Sequence, residues 1–181
     1  ILSGQTANQN AKKQIYKKRI VRHTETYTGK ASKVIVTPKE KRLIVDGYNV
    51  IFAWESLSEL AKTNLDAAKD KLISLLSNYQ GITGVKTLLV FDGYKVKGNH
   101  GSTTVQEDIK IVHTKENQTA DQFIEAYTHK NEGQYQMTVA TSDGLIQTIT
   151  RGAGCQIISS RELYSAMEAA AKELREMYDI K

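Results

Sequence analysis

The sequence has a single cysteine and no long apolar run. One cysteine excludes an internal disulfide, and no further cysteine or histidine stands at zinc-ligand spacing from Cys155. Because Cys155 opens the apolar run CQIIS, we expect a buried strand thiol rather than a nucleophile. No apolar run approaches the roughly 18 residues of a membrane span, and no secretory signal pattern opens the chain. These absences predict a cytoplasmic protein without a membrane partner.

Several motifs of phosphate and hydrolase chemistry are also missing. No G-x-G-x-x-G follows the first strand, and neither G-x-x-x-x-G-K-[ST] nor G-x-S-x-G occurs. Tyr48 occupies the position at which an aspartyl-phosphate phosphatase would carry its second acid. The sequence therefore predicts no nucleotide cofactor in this segment.

Proline is as scarce as cysteine, and net positive charge is concentrated at one end of the chain. Pro38 precedes the first strong strand and predicts a boundary between a basic segment over 1–40 and a domain over 41–181. Residues 1–42 hold eleven Lys and Arg against two acids, whereas the remainder holds fourteen against eighteen. The basic segment predicts either a phosphate-rich partner such as RNA or a solvated tail. Because the chain begins at Ile1, a remnant of a preceding domain is a further interpretation.

After Pro38, strand and helix patterns alternate. Apolar runs predict five strands, over 42–46, 86–92, 109–114, 136–142 and 155–159. Helical spacing predicts a helix that Asn64 caps and Gly81 ends, and further helices from about Thr119, over 144–151 and from about Ser160. Since parallel strands need crossover connections, this order predicts an α/β fold, a three-layer α/β/α sandwich with a mostly parallel central sheet.

Three of the predicted strands run into an aspartate. RLIVDG, LLVFDG and TVATSDG lead into Asp46, Asp92 and Asp143. Because ligands of an open parallel sheet bind beyond the carboxyl ends of its strands, we expect these carboxylates at one edge. Asp121 lies in the first turn of the helix after TKENQT and is expected to face the same edge.

Carboxylates held close together repel one another unless a cation neutralises them. The pattern therefore favours a site for a divalent cation such as Mg²⁺, which can activate water against a phosphodiester. Each acid also has a structural alternative, because Asp-Gly pairs form turns and aspartate favours helix N-termini. Asn49, three residues after Asp46, either supports the site or belongs to a turn.

The polar stretch over 95–108 carries Lys95, Lys97 and His100 among glycines. Beside the acids it predicts either a flexible basic flap over a phosphate-bearing polymer or a disordered surface loop. Lys115, after the next strand, joins Lys95 and Lys97 as a predicted RNA-binding residue.

Four segments, LIVDGYNVIFAW, VFDGYKVKG, TKENQTAD and VATSDG, together resemble the NYN domain of the bacterial YacP-like type, a branch of the PIN-like nuclease superfamily. The resemblance covers about residues 42–165. It implies a PIN-like fold whose acidic cluster binds Mg²⁺ or Mn²⁺ and hydrolyses RNA internally. The catalytic and metal-binding residues that it implies are Asp46, Asp92, Asp121 and Asp143, with Asn49 as the motif asparagine.

The function that this resemblance implies is a metal-dependent endoribonuclease, acting on mRNA at or near the ribosome. Water would be its nucleophile, leaving 5′-phosphate and 3′-hydroxyl ends. The alternative is a non-catalytic RNA- or ribosome-binding module that keeps the acids for metal-linked stability or by descent. Similar domains also follow translation-factor GTPases of the ribosomal-protection type, and the segment YKKRIVRHTETYTGKASK and the missing initial Met are consistent with such a parent.

Overall fold

A computed structural model of the protein describes residues 37–179, and most of the basic segment lies outside the described residues. The strands are β1 Lys41–Asp46, β2 Lys86–Phe91, β3 Ser102–Gln106, β4 Ile109–His113, β5 Gln136–Ala140 and β6 Gln156–Ile158. They form one sheet in the order β3-β4-β2-β1-β5-β6. Every neighbouring pair is parallel except β3 and β4.

Helices cover both faces of this sheet. They are α1 Gly47–Ala53, α2 Glu55–Thr63, α3 Leu65–Thr83, α4 Ala120–Lys130, α5 Gly144–Gly152 and α6 Ser160–Asp179. One buried cluster joins the sheet to α1, α2, α3 and α6, and a second joins it to α4 and α5. The predicted three-layer sandwich with a mostly parallel sheet is therefore confirmed.

The strand β1 shows why the sheet is apolar on both faces. Leu43 and Val45 lie in the cluster with α1 to α3 and α6, whereas Ile44 lies in the cluster with α4 and α5. All three are buried, as expected for a central strand whose successive side chains point to opposite faces. This alternation continues to the end of the strand, so Asp46 extends toward the face that α4 and α5 cover.

The helix α3 begins as predicted but ends later. The Asn64 side chain accepts a hydrogen bond of 2.9 Å from the Ala67 N–H. Gly81 lies inside the helix, and the end is at Gly84, which has a left-handed φ of 72°. The last turn persists because the buried Gln80 side chain donates to the Asp108 carbonyl and accepts from the Thr87 N–H. The prediction that Gly81 ends the helix was therefore wrong.

The sequence did not predict α1, α2 or β3. The strand β3 lies within the stretch 95–108 that was interpreted as a flap or a surface loop. All of its residues are exposed, so its sequence lacks the alternation of apolar and polar residues that marks a half-buried strand. It pairs with β4 through a tight turn at Glu107 and Asp108, whose φ values are both positive. Ser77 on α3 donates to the Glu107 carbonyl at 2.7 Å and fixes this hairpin from outside it.

The parallel register brings the ends of three strands to one edge. Asp46 pairs with Val90, two residues before Asp92, and Val45 pairs with Ala140, three residues before Asp143. Since β1 lies between β2 and β5, Asp46 occupies the middle of this edge.

Between Thr37 and Asp179, none of the helices has the length and apolar character that crossing a bilayer requires. Cys155 is buried, as predicted, and lies immediately before β6 rather than within it.

Candidate active site

The four predicted aspartates lie at the carboxyl edge of the sheet. Asp46 ends β1, Asp92 follows β2, and Asp143 follows β5. Asp121 lies in the first turn of α4, which begins with a complete capping box between Thr119 and Gln122. The carboxylates are close enough to perturb one another electrostatically.

Asp46 is the buried member of this group, with 8% of its surface exposed. Burial raises its pKa to about 6, and the negative charges of Asp121 and Asp143 add to this effect. The Thr141 hydroxyl, which donates to the Asp46 carboxylate at 3.3 Å, and the nearby Asn49 backbone N–H oppose the rise in pKa without cancelling it. Asp46 therefore carries an uncompensated cost when it ionises in the folded protein.

Asp121 shares this environment. Burial raises its pKa, as do the negative charges of Asp143 and then Asp92. No salt bridge of the described residues involves any of the four aspartates. Among residues 37–179, the site is therefore a set of carboxylates that no salt bridge neutralises.

Asp92 and Asp143 also have the structural roles that the sequence allowed as alternatives, in a turn and at a helix N-terminus. The Asp92 carboxylate accepts from the Tyr94 N–H at 2.7 Å and closes a turn. The Asp143 carboxylate caps α5 by accepting from the N–H groups of Leu145 and Ile146. These contacts use one carboxylate oxygen of each residue, so a structural role and a functional role are compatible.

The glycines after Asp46 and Asp92 are required by close packing rather than by a positive φ. A Cβ on Gly47 would lie 2.5 Å from the Phe91 ring. A Cβ on Gly93 would overlap the Thr114 carbonyl oxygen, while the Gly93 N–H donates to the Thr114 hydroxyl at 2.8 Å. The Asp-Gly pairs thus let α1 and the 93–101 loop pack directly against neighbouring strand ends.

We expect Gly93→Ala to lower the free energy of unfolding by about 1–3 kcal/mol, because an added methyl forces backbone to move in a packed region. Gly144→Ala is the matched control, since its Cβ would meet nothing within 4 Å at the start of α5. That variant should be neutral or stabilising by up to about 1 kcal/mol. Urea denaturation measures both, and equal effects would contradict the packing requirement.

Asn49 joins three separate segments. Its side-chain oxygen accepts from the Ser142 N–H at 2.9 Å and from the Ser160 hydroxyl at 2.8 Å. The Ser160 carbonyl in turn accepts from the Trp54 indole N–H at 2.7 Å. Asn49 thus lies on α1, three residues after Asp46, and its side chain holds Ser142, the residue that precedes Asp143.

Sequence reasoning missed Ser160, which is fully buried at the start of α6. The sequence around it, SSRE over 159–162, has the spacing of a capping box and therefore indicates only that a helix begins here. Ser159 and Glu162 complete that box by exchanging hydrogen bonds with each other's backbone. Nothing in the sequence pairs Ser160 with Asn49, 111 residues away.

We expect Asn49→Ala to lower the free energy of unfolding by about 1–3 kcal/mol, because it leaves the buried Ser160 hydroxyl and the Ser142 N–H without their acceptor. Any activity that needs Asp143 in place should fall as well. Asn78→Ala, at an exposed position on α3, is the control and should change little. Unchanged stability of Asn49→Ala in urea would show that this junction does not hold the edge together.

The three lysines predicted to bind RNA are exposed around this edge. Lys95 and Lys97 lie on the loop after Asp92, and Lys115 follows the buried Thr114. Hydrogen bonds attach this loop to the segment after β4. The Asn99 side chain donates to the Thr114 carbonyl at 2.8 Å. The Glu116 carboxylate accepts from the Gly98 N–H, also at 2.8 Å.

Within residues 37–179, no three side chains of His, Cys, Asp or Glu are grouped closely enough to form a ready-made metal site. Mg²⁺, however, is commonly bound by one or two carboxylates together with waters and substrate phosphates. The buried Asp46 and its acidic neighbours fit that mode of binding in charge and donor type. The four-aspartate metal site itself stays a prediction.

Comparison with known proteins gives consistent matches. The family described as the YacP-like NYN domain matches residues 43–181. A Bacillus subtilis protein named Uncharacterized protein YacP is 38% identical over 133 residues, covering 73% of this chain and 78% of that protein. The crystal structure of a mutant of Rae1 (YacP) from Bacillus subtilis is similar with a TM-score of 0.66 and 32% identity, covering 77% of this chain and 86% of that one. A second Rae1 (YacP) structure from the same organism has a TM-score of 0.63 and 36% identity, covering 76% and 79%.

Proposed function

This chain belongs to the YacP-like NYN domain family, and we propose that it is a metal-dependent endoribonuclease that hydrolyses RNA phosphodiesters. The family has a nuclease-like fold, which supports a nuclease acting on RNA. The observation that carries the proposal is the buried Asp46, whose pKa is raised to about 6 by burial and by two neighbouring carboxylates. Such a carboxylate is costly to ionise alone and is suited to a divalent cation.

In this proposal Asp46, Asp92, Asp121 and Asp143 hold one or two Mg²⁺ or Mn²⁺ ions. A divalent cation at such a site supplies stabilisation of the charge that develops on the phosphate and activates water as the nucleophile. The Thr141 hydroxyl holds the Asp46 carboxylate by a hydrogen bond, and the Asn49 side chain holds the Asp143 segment through the Ser142 N–H. Lys95, Lys97 and Lys115 bind phosphates of the RNA strand.

We further propose mRNA on or near the ribosome as the substrate, which places the activity in the cytoplasm. This finer assignment is supported by the resemblance of the four sequence motifs to the YacP-like type. It requires the site to accept single-stranded RNA, and the exposed lysines around the carboxyl edge are compatible with a phosphate backbone.

Cleavage of end-labelled RNA tests the proposal, with the RNA supplied both free and in translating ribosomes. Mg²⁺ or Mn²⁺ should support cuts that EDTA removes, and the products should carry 5′-phosphate and 3′-hydroxyl ends. Cuts that persist in EDTA, or the absence of cuts in both settings, would overturn it.

The second candidate is a non-catalytic RNA- or ribosome-binding module. It is favoured by the lack of a ready-made three-ligand group among the described residues and by the basic charge of residues 1–42. This candidate predicts metal-insensitive RNA binding that falls steeply with salt. A chain that begins at Thr37 discriminates the two: retained cleavage favours the nuclease, whereas lost binding with no cleavage in either chain favours the module.

A further inference from the structure

A cavity of about 270 Å³ lies between the β3–β4 hairpin and the first turns of α4. Its volume is just below the roughly 300 Å³ at which pockets for free small molecules begin. The lining side chains that matter here are His100, Ser102, His113, Lys115, Gln118 and Phe123. None of the described residues that line it is acidic.

This cavity adjoins the carboxylates although it contains none of them. Its wall residue Thr114 bonds to both neighbours of Asp92: the Thr114 N–H donates to the Phe91 carbonyl at 3.0 Å, and the Thr114 hydroxyl accepts from the Gly93 N–H. Phe123 lies across the cavity in the first turns of α4, but its side chain points away from that of Asp121, since residues two positions apart do not face each other on a helix. The contacts of Thr114 with Phe91 and Gly93 therefore place the cavity next to Asp92, and a strand of RNA whose phosphate meets that aspartate would continue into it.

The side chains of the cavity suit the two parts of a nucleotide. Lys115 is an exposed cation and Thr103 offers a hydroxyl donor, which together suit a phosphate, whereas the Ser102 hydroxyl bonds to His113 at 3.4 Å. Phe123 offers a partly exposed aromatic ring, on which a base of any sequence can stack. The Gln118 side-chain amide makes no hydrogen bond with another residue of the described part, so it is available to a base edge.

The two aromatic side chains of the cavity belong to opposite faces of the sheet, because His113 packs on Phe91 in the cluster with α1, α2, α3 and α6, whereas Phe123 packs against the cluster with α4 and α5. The Phe123 ring stacks on Tyr127 with centroids 6.1 Å apart, and the His113 ring stacks on the buried Phe91 at 5.4 Å. Burial, and then the nearby Lys69 ammonium, lower the pKa of His113, which favours a neutral ring there. Lys115 is therefore the principal cation of the cavity.

We propose that this cavity is a nucleotide subsite, which binds one nucleotide of single-stranded RNA next to the cleaved phosphate, with its base on Phe123 and its phosphate on Lys115. The proposal rests on the proposed endoribonuclease activity and adds the residues that hold the substrate. A competing aromatic surface exists at Phe52, which is 61% exposed and stacks on Tyr48. Tyr48 packs on the other face of the sheet, however, whereas Phe123 shares its face with α4 and α5, beside Asp46.

The first test is steady-state cleavage by the full chain carrying Phe123→Leu or Gln118→Ala, with Phe52→Leu as the matched aromatic control. Phe123→Leu should raise KM for a short RNA about tenfold with little change in kcat, since stacking contributes to binding rather than to the chemical step. Phe123→Tyr, which keeps an aromatic ring, should leave KM close to the wild-type value. A larger effect of Phe52→Leu than of Phe123→Leu would overturn the subsite.

The second test does not depend on cleavage or on a change to the cavity. An RNA oligonucleotide with 5-iodouridine at successive positions is photo-crosslinked to the Asp46→Asn chain, and the attached peptide is identified by mass spectrometry. We expect attachment within residues 100–123. Attachment at Tyr48 or Phe52 would overturn the subsite while leaving the nuclease standing, whereas the expected crosslinks together with no cleavage by the wild-type chain would overturn the nuclease alone.

Free uridine monophosphate and inorganic phosphate are the competitors in the crosslinking experiment. Because the cavity is proposed to hold one unit of a polymer, the unmodified oligonucleotide should suppress the crosslink at far lower concentration than either competitor. Equal suppression by uridine monophosphate would identify a site for free nucleotides and would overturn the proposal.

Discussion

Asp46→Asn is expected to lower the rate constant for RNA cleavage by about 10³-fold or more, the equivalent of the several kcal/mol of transition-state stabilisation that a catalytic metal supplies. The substitution keeps an oxygen that can accept the hydrogen bond from the Thr141 hydroxyl, so the local geometry survives. What it removes is the buried negative charge at the centre of the carboxyl edge. Single-turnover cleavage of end-labelled RNA measures the effect.

Two further variants make this result interpretable. Asp143→Asn should also abolish cleavage, and since asparagine caps a helix as well as aspartate does, it should leave α5 intact. Asp66→Asn, at an exposed position in the first turn of α3, is the control and should cleave at the wild-type rate. Rates for Asp46→Asn and Asp143→Asn within a few-fold of that control would show that the carboxylates have no role in cleavage.

The same substitution should stabilise the protein at neutral pH when divalent cations are absent. The pKa of Asp46 is about 6 in the folded protein against an ordinary value of 3.8, so the folded state binds this proton more tightly than the unfolded state. The stability that Asp46 contributes is therefore fully present below pH 3.8 and is lost as the pH rises through 6. At one pKa unit for each 1.36 kcal/mol, the loss amounts to about 3 kcal/mol by pH 7.

Asp46→Asn cannot ionise and escapes this loss. The free energy of unfolding of Asp46→Asn minus that of the wild type should therefore grow by about 3 kcal/mol between roughly pH 4 and pH 7 in EDTA. Urea denaturation at several pH values gives the difference directly, and titration of groups that do not interact with Asp46 cancels in it. A difference that stays flat with pH would mean that the burial of Asp46 does not perturb its ionisation.

These two effects have one physical origin. A carboxylate placed for function at the end of a buried strand, beside other carboxylates, destabilises the fold that carries it. The raised pKa of Asp121, caused by burial and then by Asp143 and Asp92, shows that this cost is shared across the edge.

The elements that build the edge were predictable because their signals are local. The apolar runs before Asp46, Asp92 and Asp143 correspond to the parallel strands β1, β2 and β5. Asn64 caps α3 as the sequence predicted, and α4 begins at Ala120, next to the start predicted near Thr119. The shared edge of the aspartates then followed, because parallel strands joined by helices bring their carboxyl ends together.

The remainder depended on contacts between distant segments. The strand β3 has no buried residue and exists through its pairing with β4. Gly81 resembled a helix end, but packing of the Gln80 side chain extends α3 to Thr83. The function of the glycines after Asp46 and Asp92 was likewise invisible, because only the fold brings Thr114 against Gly93.

The sequence predicted the position of the four aspartates but not the hydrogen bonds that hold the segments around them. The edge position of the four aspartates follows from strand order, whereas the junction of Asn49 with Ser142 and Ser160 joins residues up to 111 positions apart. No periodicity or motif links such residues, so the sequence assigned Asn49 a direct part in the site and gave Ser160 none.

Binding of Mn²⁺ tests most directly whether the carboxyl edge is a divalent-cation site, because it needs neither the right RNA nor a ribosome. The electron paramagnetic resonance signal of free Mn²⁺ is followed as wild-type protein, Asp46→Asn or Asp66→Asn is added at neutral pH. We expect the wild type and Asp66→Asn to deplete the signal, Mg²⁺ to restore it, and Asp46→Asn to bind more weakly by at least the roughly tenfold that loss of an outer-shell partner costs. Equal depletion by all three proteins, or depletion by none, would contradict a metal site centred on Asp46.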